Sequence, residues 1–107
     1  MSIYTKEARD IFVIGQVMTR CALGQSFTTY DLIKLLDNTP PTSRKILNTL
    51  VESGMLVKEK EEFRVDTIRY VYSVSPLGQL FLIGNKDKYI AQLEMLWSQL
   101  GSAGSNE

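Results

Sequence analysis

Five polar residues within eight positions, Thr42, Arg44, Lys45, Asn48 and Thr49, carry the clearest chemistry in this chain. They lie in Pro40-Pro41-Thr42-Ser43-Arg44-Lys45-Ile46-Leu47-Asn48-Thr49-Leu50-Val51-Glu52-Ser53-Gly54, whose apolar spacing predicts a helix. On a helical wheel Ser43, Ile46, Leu47, Leu50 and Gly54 share one side. Pro41, Lys45, Asn48 and Thr49 take the opposite side, with Thr42 and Arg44 at the flanks. An Asn amide can pair with adenine and a Lys ammonium with guanine, so Thr42, Lys45, Asn48 and Thr49 are candidates for base edges. The plain alternative is a core helix with a solvated polar face. The neighbouring elements decide between the two.

Upstream, Thr28 and Asp31 form a capping-box-like pair that predicts a helix start, and Leu32, Leu35 and Leu36 give that helix a buried face. Asp37-Asn38-Thr39 ends it. Thr39 can cap the next helix, and Pro40 and Pro41 suit a first turn, where a missing N–H costs little. Gln25-Ser26-Phe27 reads as a short extended link. Downstream, Met55 to Val57 and Ile68 to Val74 are strand-like by β-branched and aromatic content. The charged stretch Lys58 to Thr67 is expected to be the loop between them. Two short helices across a tight turn, backed by a hairpin, suit the major groove of DNA. Thr28, Thr29, Tyr30, Lys34 and Arg44 would then hold phosphates, and Lys58, Lys60, Arg64 and Arg69 would be the hairpin's contribution.

Outer helices bracket this unit. Residues 5–23 form a helix capped by Thr5, apolar around most of its girth, with Gly24 as its stop. Ser75-Pro76 starts a further helix through Leu80, Phe81 and Leu82, with a break at Gly84-Asn85. In residues 85–100, Tyr89/Ile90, Leu93, Leu96/Trp97 and Leu100 alternate three and four apart in one narrow stripe. So greasy a first helix must be buried on two sides. The expectation is a homodimer through helices 5–23 and 85–100, with Ile11, Ile14, Met18, Ile90, Leu93, Trp97 and Leu100 at its interface. Gly101 to Glu107, rich in Gly and Ser, reads as a disordered tail.

Composition narrows the function. The 107 residues suit one domain, and no apolar run reaches the roughly 20 residues that span a bilayer. No secretory signal is legible at the N-terminus. One cysteine, Cys21, allows no intrachain disulfide and suits a reducing, cytoplasmic setting. The chain has no histidine, so Ser-His-Asp and Cys-His devices cannot be built, and a structural zinc site would need carboxylates alone. The glycines form no phosphate-cradling loop. No enzyme, metal or cofactor is expected. Cys21 as a redox sensor is the weaker reading beside a core thiol. Twelve basic residues balance twelve acidic ones, and residues 25–54 and 55–75 are each balanced in turn. Any positive face must therefore come from charge segregation in three dimensions.

The run Leu47-x-x-Leu50-x-x-x-Gly54-Met55-Leu56-Val57, followed by Tyr70-x-Tyr72-x-Val74-Ser75-x-x-Gly78, resembles winged-helix transcriptional regulators of the MarR and PadR kind. In those families the first run ends the recognition helix and enters the wing, and the second leaves the wing for the next helix. The resemblance implies a mainly α fold with a small β-hairpin (α+β), a winged helix-turn-helix with flanking N- and C-terminal helices. One domain over 1–100 would hold the helix-turn-helix at 28–54 and the wing at 55–74. It implies a homodimeric, sequence-specific double-stranded DNA-binding regulator of transcription. The alternative is a winged-helix module contacting another protein in a nucleoprotein or viral assembly. The acidic residues Glu59, Glu61, Glu62 and Asp66, where such regulators usually place an Arg-rich wing tip, speak for that alternative.

Overall fold

Thr5, Thr28, Thr39 and Ser75 each turn a hydroxyl oxygen onto a backbone N–H and open a helix, as their sequence positions predict. The computed structural model describes residues 5–64 and 67–105. Their order is α1 (Lys6–Ala22), α2 (Thr29–Leu36), α3 (Pro40–Glu52), β1 (Leu56–Arg64), β2 (Thr67–Val74), α4 (Pro76–Gly84) and α5 (Lys86–Ser105). β1 and β2 form an antiparallel hairpin, and Phe27 adds a single bridge to Tyr72, whose N–H donates to the Phe27 carbonyl at 2.9 Å.

The α2–α3 corner is built from local chemistry. At α2 the capping box is complete: Thr28 Oγ1 accepts the Asp31 N–H, and Asp31 Oδ2 accepts the Thr28 N–H at 2.8 Å. Asp37 then adopts a left-handed conformation, φ 51°, which a short polar side chain tolerates better than a branched one. Asn38 accepts a hydrogen bond from the Ser43 hydroxyl. That bond explains a fully buried serine on the apolar side of α3, beside Ile46, Leu47 and Leu50.

The Ser75-x-x-Gly78 junction closes the unit from below. Ser75 Oγ donates to the Gly54 carbonyl and accepts the Gly78 N–H at 3.0 Å, while the Ser75 N–H donates to the Met55 carbonyl at 3.1 Å. Position 78 must be glycine because a Cβ there would run into the Met55 carbonyl oxygen. The end of α3 and the start of α4 are thereby fixed to each other.

Three expectations are corrected. The stretch Lys58 to Arg64 is strand, not loop: Lys58 faces Tyr72, Lys60 faces Tyr70 and Glu61 faces Arg69 across the ladder. Cross-strand pairs of this kind stabilise even a charged segment. Val65 and Asp66 lie outside the described residues. Second, Ile11 and Ile14 are fully buried within the chain and have no surface for a second subunit. The side of α1 expected to need a partner is covered by α5: the Tyr89 ring lies where a Cβ on Gly15 would be, Gln16 Nε2 donates to Tyr89 Oη at 3.2 Å, and Gln92 Nε2 donates to the Ala8 carbonyl at 3.0 Å. Third, α5 continues through Gly101 to Ser105, so the expected tail is largely helical; extending a formed helix by one residue needs no new nucleus. Residues 106–107 lie outside the described residues.

Candidate nucleic-acid interface

α3 divides its residues as the helical wheel predicts. Ser43, Ile46, Leu47 and Leu50 are buried against the core, and Pro41, Thr42, Arg44, Lys45 and Thr49 are exposed. Asn48 is half-buried because the hairpin reaches it: Lys58 Nζ donates to its Oδ1 at 3.3 Å. Among the described residues the amide nitrogen meets no acceptor.

The strand pleat resolves the hairpin's neutral charge. Residues two apart share a face, so Lys58 and Lys60 lie with Tyr70 and Tyr72, while Glu59 and Glu61 lie on the opposite side. Lys58 belongs to the face that meets α3, and its ammonium also sits 4.2 Å from the Tyr70 ring centroid. Arg69 is drawn to the acidic side, its Nη2 2.6 Å from Glu61 Oε1. The Arg64 side chain lies outside the described residues. A loop has no fixed alternation, so reading this segment as one hides the separation of charge.

A groove of about 470 Å3 runs between α2, α3 and the hairpin, lined by Thr28, Thr29, Tyr30, Arg44, Arg69 and Tyr70. Five of these are candidates from sequence; Tyr70, whose strand spacing reads as core, joins them. Thr28 contributes little of its hydroxyl, which is engaged with Asp31 at 3.0 Å. Lys34 stands outside the groove, its ammonium 5.2 Å from the Tyr30 ring centroid.

On the other flank of α3 a cleft of about 430 Å3 is lined by Lys6, Arg9, Thr42, Lys45, Ile46 and Thr49. Lys6 and Arg9 are not among the candidates from sequence. Their spacing of three places them on one face of α1, but only the tertiary packing brings that face beside α3.

The expected interface residues scatter. Met18 and Leu93 are half-buried against the core, whereas Ile90 and Trp97 are exposed; the Leu100 side chain lies outside the described residues. Cys21 is half-buried, its Sγ 3.7 Å from the Tyr72 carbonyl, and burial pushes the thiol above its ordinary pKa. A sensor thiol needs the opposite shift. Among the described residues no group of His, Cys, Asp or Glu could hold a metal ion, and no helix is long and apolar enough to cross a membrane.

No family model matches the chain, and no curated protein matches it by sequence. Solved structures do match. MepR of Staphylococcus aureus in a DNA-binding conformation is 18% identical, with a TM-score of 0.65 over 97% of this chain and 71% of that one. A PadR family transcriptional regulator from Eggerthella lenta is 19% identical, with a TM-score of 0.60 over 95% of this chain and 86% of that one. The adhesin competence repressor AdcR of Streptococcus pyogenes is 16% identical, with a TM-score of 0.59 over 92% of this chain and 66% of that one. Against several such structures the chain spans 64 to 66% of the neighbour's length. The fold, five helices with a two-stranded antiparallel hairpin, is the winged helix-turn-helix of these regulators.

Proposed function

We propose that this chain is a sequence-specific double-stranded DNA-binding protein that acts as a homodimeric regulator of transcription. One observation carries the reading: the polar ridge of α3, with exposed Thr42, Lys45 and Thr49 and half-buried Asn48, stands between two grooves that both hold cationic side chains. A major groove about 12 Å wide admits an α-helix and is walled by a phosphate backbone on each side. Lys58 and Lys60 extend the positive surface along the wing. Support also comes from a neighbour of the same fold, MepR of Staphylococcus aureus, solved as a complex with DNA. In this reading the protein has no catalytic role and works in the cytoplasm.

The homodimer rests on the outer face of α4 and α5. Leu80 is 67% exposed, Ile83 69% and Trp97 73%, with Leu77, Ile90 and Met95 also open to solvent. Apolar side chains in such number on two consecutive helices suit a subunit interface. Leu80→Glu combined with Trp97→Glu should yield a folded monomer by light scattering. An unchanged dimer would exclude this face as the subunit interface.

Selection of binders from a pool of random duplexes tests the function. An enriched motif, with log K falling by about 5 to 7 per unit log[salt] for roughly six to eight neutralised phosphates per dimer, is the expected result. The acidic face of Glu59 and Glu61 favours one rival, a winged helix that binds another protein. Failure to retain any duplex at low salt would establish that rival over the regulator.

A further inference from the structure

Lys6, Arg9 and Lys45 converge on the cleft between α1 and α3, and Asp10 alone answers them among the described residues. Asp10 does so weakly. Its Oδ2 is 3.6 Å from Lys6 Nζ, and its Oδ1 is 3.4 Å from Arg9 Nη2. Arg9 and Asp10 are adjacent on a helix, a spacing at which side chains do not face each other. Lys45 has no ion pair among the described residues. Arg9 Nε is buried and meets no acceptor among the described residues. A buried donor without a partner is uncommon in a folded protein and marks a place where an acceptor is wanted.

The neutral members of the cleft fit the same ligand. Thr42 Oγ1 accepts a hydrogen bond from the Thr39 hydroxyl at 2.9 Å, which leaves the Thr42 proton for a further acceptor. Ile46 forms an apolar floor, and the cleft is open to solvent along the exposed ridge of α3. Three cations and a threonine hydroxyl on one solvent-open cleft describe a site for a tetrahedral oxyanion.

We infer that the α1–α3 cleft is a phosphate site that grips the DNA backbone on the α1 side of the reading helix. The inference rests on the DNA-binding reading above and deepens it. The groove beside the wing would meet one strand, and Lys6 and Arg9 the other, with Lys45, which lines the same cleft, turned from a base edge to the backbone. α1 then has two functions: its apolar girth holds the core, and its first turns complete the interface.

The test is a fluorescence anisotropy titration of a labelled duplex, repeated over a range of salt, with the full chain. Lys6→Gln with Arg9→Gln should flatten the salt dependence by about one unit of slope for each phosphate that is no longer neutralised. Arg9→Lys should retain most of the parent's slope. Lys86→Gln removes a charge from α5 outside the lining of the cleft and should leave the slope unchanged. Should the first double variant melt below the parent, Lys6→Gln alone carries the test, since that side chain is 71% exposed. A parent-like slope in the Lys6→Gln, Arg9→Gln double variant overturns the inference while leaving DNA binding intact. So does an equal loss in the α5 control. A melt with inorganic phosphate at constant ionic strength separates the free anion from the backbone. Stabilisation of the parent but not of the cleft variant, with duplex binding unchanged, assigns the cleft to a free anion and overturns the backbone grip. If the parent binds no duplex at low salt, the regulator reading itself falls and the inference with it.

Discussion

The two sides of α3 are built on opposite principles. Its back is closed: Leu47 is fully buried, Ser43 is bonded to Asn38, and the Gly54 and Met55 carbonyls are held by Ser75. Its front is open. Lys45 has no ion pair among the described residues, and one 3.3 Å hydrogen bond from Lys58 reaches Asn48. A side chain packed into a core is committed to folding, whereas a polar ridge held rigidly from behind is available to a ligand. The difference teaches that mutations on the back should register in stability and mutations on the front in binding.

The largest effect is expected at Leu47. Leu47→Ala leaves a cavity in the core and should cost about 2–5 kcal/mol in urea unfolding. Lys45→Ala and Thr49→Ala, on exposed positions of the same helix, should stay within about 0.5 kcal/mol of the parent. Comparable losses on both faces would break the comparison, because the front would then be structural.

Next is Gly78→Ala. The new methyl meets the Met55 carbonyl oxygen, a backbone atom fixed by Ser75, so a cost of about 1–3 kcal/mol is expected. Gly15→Ala offers a contrast, because its methyl meets the Tyr89 ring, a side chain that can swing aside. It should cost less globally while loosening α5, read as faster hydrogen exchange in residues 86–95 than in α3. An effect at Gly15 equal to that at Gly78 would mean that the packing of α1 on α5 is as rigid as the junction.

How much of this is legible in the sequence follows the range of the interactions. Caps act over three residues, so Thr28, Thr39 and Ser75 announce their helices, and the Ser75-x-x-Gly78 spacing announces the junction. The buried and exposed sides of α3 follow from helical period alone. The cover on Ile11 and Ile14 is not legible, because the close approach of Gly15 and Tyr89 joins residues far apart in sequence. The separation of Lys58 and Lys60 from Glu59 and Glu61 requires knowing that this segment is a strand. Lys6 and Arg9 need the packing of α1 beside α3. Their basic spacing is visible, but nothing local says what it will face.

On the front of α3, Asn48→Ala should leave the melt nearly unchanged while removing about 1–3 kcal/mol of discrimination at one operator position. Arg44→Ala, which lines the groove beside the wing, should weaken binding to all sequences alike and lower the salt slope by about one unit. Paired binding curves on operator and scrambled duplexes separate the two. If both variants bind every duplex as the parent does, α3 is not the reader. Lys58→Gln refines the result: if Asn48 needs the hydrogen bond from Lys58 to be oriented, this variant should relax preference at the same position.

The smallest effect is expected where α1 meets α5 at the surface. Lys88 Nζ lies 2.7 Å from Glu7 Oε1, and both side chains are more than half exposed. The hydrogen bond and charge of Lys88 hold the Glu7 carboxyl below its ordinary value of 4.5. A carboxyl with a lowered folded-state pKa contributes its stability above the unfolded value and loses it as pH falls through the folded one. The pair should therefore act at pH 7 and fade below about pH 4.5. Lys88→Gln should lower the Tm slightly at neutral pH, and the two melting curves should merge in acid and at about 1 M salt, where the screening length is about 3 Å. Neither α3 nor the α1–α3 cleft is touched by this change, so duplex affinity and salt slope should not move with it. A loss of binding in Lys88→Gln would mean that the set of α5 on α1 controls the position of α1 beside the reading helix, joining the closed and open regions.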